Sequence, residues 1–125
     1  MIAYLDTHTA MRLAHGRPRI GREAEKLVQR ADLLISPMVL LELEYLYEIK
    51  RSKRPARDIQ AKVEHELGVR VCDLPFPTVA SAALDEKWTR DPFDRLIVAN
   101  AKANGFAWLI SADEEIARHY PRTVW

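Results

Sequence analysis

Short runs of consecutive apolar residues alternate along the chain with stretches whose apolar positions recur every three to four residues. "MIAYL", "LLIS", "VRVCDL" and "AWLIS" belong to the first kind, and they predict short strands buried on both faces. "RTVW" predicts a further strand at the end. "THTAMRLAHG" predicts a helix with Thr7 or Thr9 near its start and Gly16 past its end. "GREAEKLVQRA" places Ala24, Leu27, Val28 and Ala31 on one helical side. "SPMVLLELEYLYEIKR" opens with Ser36 as a cap and Pro37 at the first helical position, and "ARDIQAKVEHELG" closes on Gly68. "PTVASAALDEKW" predicts a helix between Pro77 and Trp88. "DPFDRLIVANAKANG" predicts another, with Asp91 as cap, Pro92 behind it and an end near Gly105; "DEEIARHY" predicts a short last one. Strands alternating with helices specify an α/β fold, a short twisted parallel sheet of four to five strands flanked by helices, with residues 1–125 as one domain. In such sheets, sites form just beyond the carboxyl ends of the strands.

One position breaks this pattern. Asp94 shares its helical stripe with Ile97, Val98 and Ala101, which places a carboxylate on the side that should face the core. Arg95, one position round, leaves that stripe and is available to a neighbouring acid or to a substrate. The strand-end rule selects two more acids: Asp6 directly after the first strand and Asp113 shortly after the fourth. Glu42 is the fourth candidate, because its helical neighbours Met38, Val39, Tyr45 and Leu46 are apolar. Each acid also has an ordinary role open to it. Asp6 can begin a turn, Asp113 can cap the last helix, Glu42 can pair with a distant arginine, and Asp94 can supplement the cap at Asp91. If the four converge, each pair about 4 Å apart repels by about 4 kcal/mol at an effective dielectric of 20. Such a cluster protonates or holds a cation, and oxygen donors suit a hard divalent ion, Mg²⁺ or Mn²⁺. The four histidines and the single Cys72 show no zinc spacing; His8 and His15 share a helix face but fit surface or core roles.

Composition narrows the remaining choices. No apolar run approaches a membrane span, and the N-terminus lacks the pattern of a signal peptide. With a lone cysteine, this fits a cytoplasmic protein in which Cys72 is a small core residue. The 19 basic residues nearly balance the 18 acidic ones. Setting aside the four candidate acids leaves 19 against 14, a net positive remainder suited to a nucleic-acid partner. The basic residues cluster in "KRSKRPAR" (50–57), where Arg51, Lys53 and Arg54 are candidate RNA contacts, and in "GRPRIGR" (16–22), with Arg17, Arg19 and Arg22.

The order "LDTH", "ISPMVLLELEYL", "DPFDRLIVANA", "LISADEEI" resembles the PIN-domain ribonucleases, specifically the VapC-type toxins of bacterial toxin–antitoxin pairs. The resemblance spans nearly the whole chain. It implies that Asp6, Glu42 and Asp94 are the main acidic metal-site positions and that Asp113 is the fourth, more variable one. Thr7, Ser36 and Ser111 fall where small hydroxyls adjoin such a site, and Asp91 becomes a supporting acid as well as a cap. The implied activity is Mg²⁺- or Mn²⁺-dependent endonucleolytic hydrolysis of RNA, leaving a 5′-phosphate and a 3′-hydroxyl. The implied partners are a cognate antitoxin and a second copy in a homodimer. The helix "VLLELEYLYEI", apolar on more than one side and carrying Tyr45 and Tyr47, has a second side to offer such a partner.

Two rival readings remain. One is a non-catalytic interaction or RNA-binding module of the same fold. The other is a metal-dependent phosphotransferase-type α/β domain. That class needs a second acid beside the first-strand aspartate or a lysine after a late strand, and "LDTH" and "LISAD" supply neither.

Overall fold

In the computed structural model, which describes residues 1–16 and 20–125, the strands are β1 (Ile2–Leu5), β2 (Asp32–Ile35), β3 (Arg70–Val71), β4 (Trp108–Ile110) and β5 (Thr123–Val124). The helices are α1 (Thr7–Ala14), α2 (Arg22–Arg30), α3 (Pro37–Glu48), α4 (Ala56–Leu67), α5 (Phe76–Ala83), α6 (Pro92–Ala103) and α7 (Glu114–His119). Every strand pair is parallel and the order is β3-β2-β1-β4-β5. Arg17 and Arg19 of the first basic cluster lie outside the described residues; Arg22 is exposed at the start of α2. Among the described residues, no helix is long and apolar enough to cross a membrane.

The register aligns the strand ends. Leu5 lies beside both Ile35 and Ile110, and Ile110 beside Val124. The next residues, Asp6, Ser36, Ser111 and Trp125, therefore form a row along the carboxyl edge of the sheet. β1 sits where the strand order reverses direction, with β2 on one side and β4 on the other, so the crevice favoured for ligands opens beside Asp6. Beneath it, Tyr4, Leu5, Ile35, Leu109 and Ile110 are buried between the helices. That burial is the dominant favourable contribution to the fold.

One predicted start holds with a different cap, and two predicted boundaries change. The first helix begins at Thr7, but its cap is Asp6, whose side chain accepts from the Thr9 N–H. The "VRVCDL" strand shortens to two residues; the Cys72 N–H still donates to the Ile35 carbonyl of β2 at 2.8 Å, and the Cys72 side chain is buried. Its thiol accepts hydrogen bonds from the Tyr4 hydroxyl (3.0 Å) and the Asn100 amide (3.2 Å). The helix drawn to Trp88 starts at Phe76 and stops at Ala83. Tertiary contacts overrule local propensity there. The buried Glu86 carboxylate accepts from Lys102 Nζ at 2.7 Å and from the Trp88 indole at 3.1 Å. The Trp88 ring stacks on His119 of α7, with centroids 5.0 Å apart. These contacts hold the segment that delivers the chain to Asp91.

Candidate active site

Four separate segments bring acids to one cleft of about 340 Å³ at the carboxyl edge of the sheet. Asp6 comes from the end of β1, Glu42 from α3, Asp94 with Asp91 from the start of α6, and Asp113 from beyond β4; all five line the cleft.

Asp6 is the most firmly held. It is buried, and its two oxygens have different donors: Oδ1 accepts from the Thr9 N–H at 2.8 Å and Oδ2 from the Ser111 hydroxyl. Ser111 Oγ in turn accepts from the Asp113 N–H at 3.1 Å, and the Asp6 N–H reaches the Ile110 carbonyl at 3.2 Å. The ends of β1 and β4 are thereby tied together through the acid itself. Glu42 is oriented by the hydroxyl of Thr7, the residue after Asp6. Burial raises its pKa, the Thr7 bond opposes the rise, and the Asp91 charge adds to it.

Asp94 faces inward, as its stripe predicts: Ile97, Val98 and Ala101 are all buried. Its pKa is pushed up to about 7, first by burial and then by the charges of Asp91, Glu42, Asp113 and Asp6. The second cause means that the acids share one electrostatic field. Arg95 does not relieve it, since its Nε–H donates to the Thr89 carbonyl at 2.9 Å.

Asp91 and Asp113 each have two roles. Asp91 caps α6 by accepting from the Phe93 N–H at 2.8 Å. Among the charged neighbours it also contributes most to the upward shift at Asp94. Asp113 caps α7 through the Glu115 and Ile116 N–H groups while lining the cleft. Asp91→Asn should separate the functions, because asparagine caps as well as aspartate but carries no charge. The expected outcome is an unchanged melting temperature in acid and a lower Asp94 pKa, read from the carboxyl chemical shift against pH.

The remaining candidates are distributed unevenly. Thr7 lines the cleft, and Ser111 lies buried beneath Asp6. Ser36 instead caps α3 and borders a separate, mostly apolar cavity. Arg51, Lys53 and Arg54 are exposed in the turn between α3 and α4, and none lines the cleft. His8, Arg12 and Trp125 do line it and were not selected from the sequence. The i, i+4 spacing of His8 and Arg12, on the helix that directly follows Asp6, is a signal that could have found those two.

The donor set is all oxygen, carboxylates with the Thr7 hydroxyl, and this suits a hard divalent cation over zinc. A cation would also remove the repulsion that raises Asp94. As the side chains stand, no three His, Cys, Asp or Glu groups among the described residues are gathered closely enough to hold an ion.

Comparison with known proteins agrees with this architecture. A ribonuclease of Mycobacterium tuberculosis, VapC22, is 30% identical over 128 residues, covering 97% of this chain and 96% of that protein. The fold superposes on the crystal structure of VapBC2 from Rickettsia felis bound to a promoter DNA fragment, with TM-score 0.65 and 22% identity over 99% of this chain and 96% of that one. It also superposes on DNA-bound VapBC from Salmonella typhimurium, with TM-score 0.61 and 21% identity over 98% and 95%. The PIN domain family model matches residues 3–120, and this chain belongs to the PIN domain family.

Proposed function

We propose that the protein is a Mg²⁺- or Mn²⁺-dependent endoribonuclease, the toxin of a toxin–antitoxin pair. The observation that carries this reading is the convergence of five acids from four segments on one cleft at the sheet's switch point, with the Asp94 pKa raised by burial and by the other acids. The full-length likeness to a VapC ribonuclease supports it.

Asp6, Glu42, Asp94 and Asp113 would hold the metal. When bound, the ion lowers the pKa of a water and offsets charge building on the scissile phosphate. Asp6 supplies a fixed carboxylate, because Thr9 and Ser111 leave it little freedom. Thr7 aims Glu42 into the cleft. One of these carboxylates would also accept a proton from the attacking water. The products are a 5′-phosphate and a 3′-hydroxyl.

A cognate antitoxin and a second copy are the proposed protein partners. Leu41 and Tyr45 of α3, with Ile49 just past its end, give an exposed apolar side of the kind such a partner covers.

Incubation of the protein with single-stranded RNA, with and without Mg²⁺, tests the reading. The expected result is endonucleolytic cleavage that a chelator stops and added Mg²⁺ restores. Absence of cleavage under metal conditions that demonstrably load the cleft would overturn it in favour of a non-catalytic module.

Arg51, Lys53 and Arg54 are the proposed outlying RNA contacts. They follow the end of α3, six residues and about 9 Å along the helix from Glu42. Neutralising all three should weaken RNA binding while leaving metal binding intact. Each lost phosphate contact flattens the salt dependence on single strands by roughly 0.7 in slope. A salt series comparing the triple variant with its parent, both carrying Asp94→Asn to prevent cleavage, checks this; coincident slopes would show a merely solvated turn.

A further inference from the structure

A cleft lined by five carboxylates repels the polyanion it is proposed to cut, and the basic turn after α3 does not line it. Attraction that carries no charge is free of this conflict. Single-stranded RNA offers it through its bases, which stack on aromatic rings. We propose that Tyr45, braced by Phe93, is a platform on which one base of a single-stranded substrate stacks beside the acid cleft. The proposal rests on the ribonuclease reading above and adds a base contact to it.

The pair stands next to the acids on both of its helices. Tyr45 follows Glu42 by three residues on α3, so the two share a helical face, about 4.5 Å apart along the axis. Phe93 lies between Asp91 and Asp94 at the start of α6, and its N–H donates to Asp91 Oδ1 at 2.8 Å. Glu42, Asp91 and Asp94 all line the cleft. The two rings stack with centroids 6.1 Å apart and an interplanar angle of 29°, which bridges α3 to α6 beside those acids.

Exposure separates this pair from ordinary core packing. Tyr45 is 48% exposed although its ring rests on Phe93. A contact made only to fasten the helices would gain more by burying that apolar surface. Tyrosine instead presents a rigid apolar ring with a polar tip suited to water, the chemistry of a side chain that receives a partner. A base held one helical turn from Glu42 brings its own phosphate toward the acids beside it. Tyr45 is then a substrate-binding residue, and Phe93 is a positioning residue that acts through it.

The opposing explanations are a clamp between α3 and α6 and a contact for a second protein chain. Binding of a mixed-sequence single-stranded RNA containing 2-aminopurine, measured with Mg²⁺ in protein carrying Asp94→Asn, separates them. Tyr45→Leu should weaken binding about tenfold, within the range for one stacked base, and leave the salt slope unchanged because no phosphate contact is removed. It should also relieve the quenching of 2-aminopurine that stacking produces. Tyr45→Phe should keep both affinity and quenching, since it keeps the ring. Tyr47→Leu, at an exposed aromatic about 200° round the same helix, should alter neither. On an abasic ribose-phosphate oligomer of the same length, Tyr45→Leu and its parent should bind alike. An equal loss on the abasic oligomer would overturn the proposal. Unchanged RNA affinity would overturn it too, and a lowered melting temperature or weakened self-association would then assign the ring to the clamp or to a second copy. An Asp94→Asn parent that binds no RNA would overturn the ribonuclease reading itself, a result distinct from the others.

Discussion

Asp94→Asn should abolish RNA cleavage, by on the order of 100-fold or more, and at the same time make the metal-free protein more stable at neutral pH. The two effects have one origin. Asp94 is held among like charges in a partly buried position, and its pKa rises from 3.8 to about 7. A carboxyl with a raised folded-state pKa binds its proton more tightly in the folded chain than in the unfolded one. The contribution of Asp94 to stability is therefore most favourable below pH 4, declines as pH rises toward 7, and stays level beyond. Asparagine mimics the protonated form and removes the decline. After allowance for solvent screening of this half-buried group, the gain near pH 8 should be about 1–2 kcal/mol. Melting curves of both proteins from pH 4 to 8 check the sign: they should converge in acid and separate toward alkaline pH. Saturating Mg²⁺ should then raise the melting temperature of the natural protein much more than that of the variant, since a ligand at a hundredfold excess over its Kd stabilises by about 2.7 kcal/mol. A variant that cleaves normally, or that melts lower at every pH, would place Asp94 outside the charge cluster.

Much of this site was legible before any coordinates, for a simple reason. A charged residue on an apolar helical stripe is a local contradiction, and Asp94 announces it through Ile97, Val98 and Ala101 alone. Asp6 and Asp113 follow from the strand-end rule, which depends only on finding short apolar runs. The sequence pattern also marks the caps at Ser36 and Asp91, because a capping residue followed by proline is read over two positions. What stayed hidden depends on contacts between distant segments. The helix drawn to Trp88 ends early because Glu86 finds Lys102, 16 residues further on. Cys72 looks like an ordinary core residue until Tyr4 and Asn100 are seen to donate to it. Trp125 joins Arg12 at the cleft through the register of β5 on β4, which carries it to the same edge. The local sequence marks Asp91 only as a cap; its charge, which the family resemblance implied, acts on Glu42 and Asp94 once α6 and α3 are packed together.

Asp6→Asn should abolish cleavage as completely as Asp94→Asn but move stability the other way. The carboxylate of Asp6 is satisfied by two donors, the Thr9 N–H at 2.8 Å on one oxygen and the Ser111 hydroxyl on the other. Asparagine keeps one acceptor oxygen and can go on capping α1, since the two residues cap equally well. Its NH₂ group then has to occupy the place of the second oxygen and meets Ser111 as a donor. The Ser111 hydroxyl must turn its hydrogen away, inside a buried site where Ser111 Oγ already accepts from Asp113. The charge-assisted bond that ties β1 to β4 is thereby exchanged for a weaker, reversed one, at a cost of about 1–3 kcal/mol. Ser111→Ala tests the same bond from the other end. It should lower the melting temperature by a similar amount while Asp6 keeps its charge, so metal binding should weaken less than in Asp6→Asn. Calorimetric Mg²⁺ titration alongside thermal melting of the two variants distinguishes the roles. Equal loss of metal affinity in both would mean that the orientation of Asp6, rather than its charge, governs the site.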